Sequence, residues 1–298
     1  MSIFRSVLVV VSPDVDSQTM VQHAALVART LAPATMRLVQ LMPHAESTAA
    51  EAAAITRVLA VASAPLPAWH VCGRLQISIV YGDPLDATLA CLRTAGTDLL
   101  LVPGEPAGTG RRIFSRRLAM HAPCSVWMVP RGSGASLARL LVPVDFSARA
   151  SDALSVATAM AAKVGEPSIQ ALHVGLDVSI TAPDAYDEVM AGREREAFAL
   201  FVARVDLHGV EVEPLFEQGR DAARTIVRVS QEHGNRLVVM GTRGRTRASS
   251  LLLGSETEHV LLASDVPVLA VKHFGAHLRL REALRDPRVR SREGPAFL

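Results

Sequence analysis

Between positions 241 and 255 the chain reads Gly-Thr-Arg-Gly-Arg-Thr-Arg-Ala-Ser-Ser-Leu-Leu-Leu-Gly-Ser. Glycines therefore stand at Gly241, Gly244 and Gly254, and Ser255 follows the last. Glycine tolerates positive φ and lets a ligand approach the backbone closely. Successive exposed N–H groups in such a loop form a nest for an anion. The segment from Glu256 to Ala263 is predicted as a helix, which sets Gly254-Ser255 at its start. There, unpaired N–H groups and the positive end of the helix dipole favour phosphate. Ser255 adds a hydroxyl, and Arg243, Arg245 and Arg247 add positive charge close by. The chemistry open to this set is binding of a phosphorylated ligand. A second candidate is Asp145, which ends the apolar run of Val142-Pro143-Val144-Asp145-Phe146-Ser147. If Ser147 caps the helix that follows, Asp145 can accept a hydrogen bond from a ligand; capping by Asp145 itself is the competing role.

Other chemistries leave no comparable trace. The glycine loop has no Gly-Lys-Ser ending, so it is not a Walker loop. The ten histidines form no His-Glu-x-x-His and no cluster with metal-ligand spacing. No Gly-x-Ser-x-Gly nucleophile elbow occurs. His173 falls near the candidate site, where a packed or backbone-bonded imidazole is the plain expectation. The alternation Arg193-Glu-Arg-Glu196 reads as a solvated helix face. Three cysteines, Cys72, Cys91 and Cys124, are too few and too scattered for a disulfide framework or a zinc site and read as small apolar core residues.

A repeat positions the candidate residues. Ser6–Leu31 and Leu140–Val164 each run from an apolar strand through a turn with Asp and Ser into a helix of small apolar residues. Ile77–Gly104 parallels Glu213–Gly241, with Gly82 against Gly219 and Gly104 against Gly241 at the same 137-residue offset. His121–Pro130 parallels Ala263–His273. Such agreement over separate segments marks a duplication. The stretch Arg131-Gly-Ser-Gly-Ala-Ser136 is a flexible linker. The expected units are 1–130, 138–274 and a tail, 275–298, carrying six arginines from Arg279 to Arg292. Each half reads β-α-β-α-β-α-β-α-β. In the second half strands are expected at Arg139–Val144, Ser168–Val174, Val210–Gln218, Arg236–Met240 and Val266–Val271, with a long helix over Asp184–Asp206. Strands apolar on both faces that alternate with helices make a parallel sheet covered on both sides. The fold class is therefore α/β, as two tandem open five-stranded parallel-sheet units of Rossmann type. In such sheets ligands sit beyond the carboxyl ends of the strands, where strand order reverses. Both Asp145 and the glycine loop follow strand ends.

Composition sets the outer bounds. The chain has 298 residues, 49% hydrophobic and 20% charged, with a formal net charge of +2. That balance argues against nucleic acid as a partner. No signal peptide and no apolar run of membrane-spanning length is visible, which predicts a cytoplasmic protein without membrane contact.

The spacing Gly-x2-Gly-x9-Gly-Ser, Pro143-Val-Asp145-Phe-Ser, the strand end Leu172-His-Val174 and the Met240-Gly241 junction together resemble the ATP-binding branch of the universal stress proteins. The resemblance runs over nearly the whole chain, as two copies. It implies a fold like that of the adenine nucleotide alpha hydrolases. It implies that Asp145 and backbone near Val174 hold adenine, that Met240-Gly241 lies near the ribose, and that Gly241, Gly244, Gly254 and Ser255 hold the phosphates. Pro143, beside Asp145, and Arg243 and Glu256, in the glycine loop and just after it, are implied as binding residues with them. ATP, with or without magnesium, is the implied cofactor. The last strand would lie on a sheet edge, where exposed apolar strands pair, and Cys124–Val129 offers the partner. An intramolecular pseudo-dimer of the two halves is expected, with further homodimerisation open.

The first half departs from the pattern. Ser12 stands where the second half has Asp145, the loop after Gly104 is about five residues shorter, and Gly108 and Gly110 fall at the wrong spacing. Alignment on the last strands sets Arg112 opposite Gly254 and Ile113 opposite Ser255, which predicts a helix start at Arg-Arg-Ile and ATP in the second half only. Three functions remain open on these residues. One is a nucleotide-loaded stress regulator with slow or no hydrolysis. The others are a weak ATPase or phosphoryl or nucleotidyl transferase, and a nucleotide-free interaction module. With no base evident to orient water, the first is preferred.

Overall fold

In a computed structural model the chain is described over residues 3–11, 17–42, 72–104, 110–175, 184–242 and 253–272. The first half contributes strands β1 (Ser6–Val11), β2 (Thr35–Met42), β3 (Leu75–Tyr81), β4 (Leu99–Gly104) and β5 (Ser125–Pro130). Its helices are α1 (Ser17–Leu31), α2 (Pro84–Ala95) and α3 (Gly110–His121). The helix expected between β2 and β3 lies outside the described residues. The second half contributes β6 (Leu140–Pro143), β7 (Ser168–Gly175), β8 (Glu211–Gln218), β9 (Leu237–Gly241) and β10 (Val268–Val271). Its helices are α4 (Ala148–Val164), α5 (Asp184–Val202), α6 (Ala222–Glu232) and α7 (Ser255–Ala263).

Strand order is β3-β2-β1-β4-β5-β10-β9-β6-β7-β8. Within each half all neighbours are parallel, and the order reverses between the first and fourth strands, β1/β4 and β6/β9. The two five-stranded sets are joined edge to edge by an antiparallel pairing of β5 with β10, with Trp127 opposite Leu269, into one ten-stranded sheet. Alternation along the strands divides the core into two layers. Val7, Val9 and Val11 of β1 join Leu140 and Val142 of β6 under α1, α4 and α5. Leu8, Val10 and Leu141 face the other way, under α2, α3, α6 and α7. Since both faces of these strands are covered, near-continuous apolar runs are what the sheet requires.

Element ends follow local chemistry. β6 starts at Leu140, one residue later than its apolar pattern, because Arg139 has a φ of +50°. α5 stops at Val202, short of the expected Asp206. The chain there tightens through Arg204 N–H to Phe201 O (3.2 Å) and Val205 N–H to Val202 O (3.0 Å), then reverses at His208 and Gly209 with φ of +53° and +78°. α3 begins at Gly110, one residue before the expected Arg-Arg-Ile, so Arg112 and Ile113 lie in its first turn. Cys72 and Cys124 are buried and Cys91 is half-buried. Burial pushes the Cys124 thiol up to about 12, which keeps it protonated and unreactive.

Side chains reinforce the junction of the halves. α1 packs on α4 on one face, and α3 on α7 on the other. The Lys272 ammonium donates to Ala119 O (3.0 Å) and Ala122 O (2.7 Å), the carbonyls at the C-terminal end of α3. A cation there satisfies acceptors left open by the helix and meets the negative end of its dipole. Lys272→Met keeps the stem and removes the charge. It is expected to lower stability by about 2 kcal/mol, seen as a lower urea midpoint and faster amide exchange over the last turn of α3. An unchanged midpoint would show that water replaces the ammonium without loss.

Candidate functional site

The residues of interest gather beyond the carboxyl ends of β6 and β9, the point of strand reversal in the second half. β6 ends at Pro143, which is half-buried, and Val144 N–H then donates to Leu172 O (2.8 Å), keeping this exit on β7. Asp145, also half-buried, accepts at Oδ1 from Ser147 N–H (3.1 Å), closing a tight Asx turn. Ser147 Oγ accepts from Ala150 N–H (3.2 Å) and caps α4. Of the two capping roles weighed for Asp145 and Ser147, the structure gives the cap to Ser147. Between them Phe146 has a φ of +64°.

β9 delivers Met240, which is buried, and Gly241. A Cβ at Gly241 would lie 2.7 Å from Arg149 O and 2.9 Å from Arg149 C, so the first turn of α4 leaves room only for hydrogen there. Thr242 N–H donates to Val271 O (3.2 Å) on the β10 side. Gly254 N–H donates to Thr242 O (2.6 Å), and Thr257 Oγ1 donates to Gly241 O (2.8 Å). These bonds tie the start of α7 directly onto the end of β9. Arg243, Gly244, Arg245 and Arg247 lie outside the described residues, as do Ser12, Gly108 and the tail from 275.

The helix starts differ in a way that matters. Asp83 caps α2, Ser147 caps α4 and Asp221 caps α6, each with a side-chain oxygen. At α7 the capping residue is Gly254, which offers no side-chain acceptor, and Ser255 is exposed at the first position. By helix geometry the first N–H groups have no intrahelical acceptor, so this end presents donors and a positive dipole beside Gly241, on the strand next to the one that Asp145 follows. Two carboxylates in the first turn, Glu256 and Glu258, would oppose an anion there. Both are engaged elsewhere. Glu256 Oε2 accepts from Ala223 N–H (3.1 Å) at the start of α6. Glu258 pairs with Arg116 of α3, from the other half of the chain. Neither partnership was visible in the sequence, where nothing local marks residues 33 and 142 positions apart.

Behind Asp145, His173 Nδ1–H donates to Val144 O (2.9 Å), so the packed, backbone-bonded histidine expected from the sequence is what the structure contains. Its ring stacks on Phe146 at 4.3 Å and 23°. Val174, half-buried, follows at the end of β7.

The chain has counterparts among known proteins. Residues 137–272 match the model of the family described as the universal stress protein family. A universal stress protein of Mycolicibacterium smegmatis is 34% identical over 100 residues, covering 34% of this chain and 76% of that protein. One from Methanocaldococcus jannaschii is 43% identical over 47 residues, 16% of this chain and 29% of its own length. A solved structure of a putative universal stress protein from Pseudomonas aeruginosa superposes with a TM-score of 0.66 at 21% identity, over 90% of this chain and 93% of that one. The last shares the fold along almost the full chain, both halves included.

Proposed function

Since the chain belongs to the universal stress protein family, we propose that its second half binds ATP and that the loaded and empty forms act as a nucleotide-dependent regulator or sensor in a stress response. The observation that carries this reading is the start of α7, which has no side-chain cap and stands at the β6/β9 strand reversal. Phosphate oxygens would satisfy its N–H groups and dipole. In this reading Asp145 and the backbone at Val174 hold the base, beyond the turn that Pro143 begins. Met240-Gly241 flanks the ribose. The loop through Arg243 and Gly244 holds the phosphates together with Gly254 and Ser255. Glu256 contributes by holding its charge on α6, away from the anion. Magnesium, when present, neutralises phosphate charge and binds mainly through the phosphates themselves.

Slow or absent hydrolysis follows from the same set of residues. Asp145 is committed to the turn and the base, and among the described residues of the set no other carboxylate or imidazole is placed to orient water. The first half is read as the partner of the second rather than as a second nucleotide site. Arg112 and Ile113, which align with Gly254 and Ser255, stand in the first turn of α3 and supply neither the glycine nor the hydroxyl found at the start of α7. The antiparallel β5–β10 join then serves as an intramolecular pseudo-dimer contact, in a protein read as cytoplasmic. Among the described residues no helix is long and apolar enough to cross a membrane.

Titration calorimetry of the intact chain with ATP and magnesium tests the proposal. The expected result is one ATP bound per chain, with little or no ADP formed over the course of the titration. Two per chain would place a site in the first half as well, and none would remove the nucleotide reading.

A further inference from the structure

We infer that Phe146 and His173 are positioning residues that set the Asp145 carboxylate for the nucleotide base, an inference that rests on the ATP-binding reading of this site. Phe146 has a φ of +64°, in the left-handed region that aromatic residues rarely occupy. Such a conformation persists where the surroundings over-determine it, and it concentrates at sites where geometry matters. Here the determinants are on view. The Phe146 ring lies against the His173 imidazole, with Phe201 at 5.8 Å and Phe198 at 6.5 Å closing the pocket from α5. The imidazole is itself oriented. A carbonyl oxygen can only accept, so the contact with Val144 O puts the proton on Nδ1 and fixes both tautomer and ring plane.

The bonds on either side of Asp145 give the stack its consequence. Val144 is held on β7 through its N–H to Leu172 O and through its own carbonyl to His173. Ser147 is held at the other end by its cap on α4. The left-handed residue between them turns the chain back, so that Ser147 N–H meets Asp145 Oδ1. Without the stack, Phe146 is free to relax to a negative φ, and that relaxation rotates the peptide carrying Asp145. The same imidazole belongs to the residue before Val174, whose backbone faces the base in the proposed site. One aromatic pair thus orders both base-side elements.

The test separates base from phosphate. Calorimetry with magnesium compares ATP with inorganic tripolyphosphate, on the intact chain and on His173→Leu, Phe146→Gly and Asp145→Ala. Phe146→Gly removes the ring, and because glycine visits both signs of φ the turn is no longer held at one; its strain-free backbone keeps the test open if His173→Leu does not fold. Either variant is expected to weaken ATP by about tenfold while tripolyphosphate affinity stays within twofold. In an Asp145→Ala background neither is expected to weaken ATP further, because the route to the base is already lost. The inference falls if both variants leave ATP affinity unchanged, if ATP and tripolyphosphate weaken together, or if the losses add to that of Asp145→Ala. If the intact chain binds neither ligand, the nucleotide reading fails and takes the positioning role with it. An intact chain that binds ATP beside unaffected variants overturns the positioning role alone.

Discussion

Gly254→Val is expected to abolish ATP binding while leaving the fold standing. Gly254 has φ −71° and ψ 151°, an extended conformation that a β-branched residue accepts readily. The substitution therefore introduces no backbone strain. The fold loses only the difference between a good and a poor residue ahead of a helix, about 1 kcal/mol. What changes is the approach to α7. A branched side chain would stand over the first N–H groups of the helix, where the phosphates are proposed to sit, and backbone donors cannot be reached around it. Loss of several charge-assisted hydrogen bonds corresponds to at least a hundredfold in affinity, or roughly 3 kcal/mol. Calorimetry measures this directly, and a melting curve of the same sample shows that the variant is folded. Unchanged ATP affinity in a folded variant would move the phosphates away from α7. Gly254→Ala, with one methyl group, is expected to fall between the two.

The second large effect concerns stability. Gly241→Ala is expected to destabilise the protein by about 3 kcal/mol, at the upper end of what overpacking by one methyl group costs. Its Cβ would meet Arg149 O at 2.7 Å, Arg149 C at 2.9 Å and Arg149 Cβ at 2.9 Å, most of it backbone that cannot turn aside. Relief requires lifting the first turn of α4, and with it the Ser147 cap, or displacing β9. Displacing β9 would strain the Thr257 bond to Gly241 O and the start of α7. The matched residue of the first half provides the control. A Cβ at Gly104 would meet Met128 Cγ at 3.1 Å and Pro130 Cα at 3.2 Å, a milder crowding with one flexible neighbour. Gly104→Ala is accordingly expected to cost less than half as much. Urea unfolding of both variants, compared at equal m value, decides the point; equal losses would mean that α4 yields to the methyl group.

The aligned glycines thus carry different demands, although the repeat makes them look equivalent. Pattern reading found the duplication, the strand–helix alternation and the strand-end placement of Asp145 and Gly254-Ser255, because each is written in residues a few positions apart. Period-two burial, a turn residue and a helix-starting serine are local signals. The Ser147 cap and the start of α7 at Ser255 fall within a residue of their expected places for the same reason. α3 starts at Gly110, one residue ahead of the expected Arg-Arg-Ile but three ahead of the position aligned with Ser255. Alignment counts residues, whereas Gly110 and the arginines after it continue a helix that the second half begins only at its glycine cap.

What the sequence determined by itself is therefore the inventory: two α/β halves of alternating strands and helices, and one half with a glycine-bounded helix start. What only the tertiary structure decided is the electrostatic and conformational setting of that start. Glu256 reads as part of the phosphate loop, yet its carboxylate lies on the N-terminus of α6. Glu258 would repel an anion if Arg116 of the first half did not pair with it. Phe146 reads as an ordinary turn residue until its positive φ and its stack on His173 are seen. Lys272 reads as the end of a strand until β5 and β10 meet and bring it to the last carbonyls of α3. Each of these depends on groups that are distant in sequence and are brought together only when the sheet closes around its two cores. A charge or a strained dihedral has no fixed meaning until its neighbours are in place, whereas an apolar period or a cap keeps its meaning within a single turn of chain.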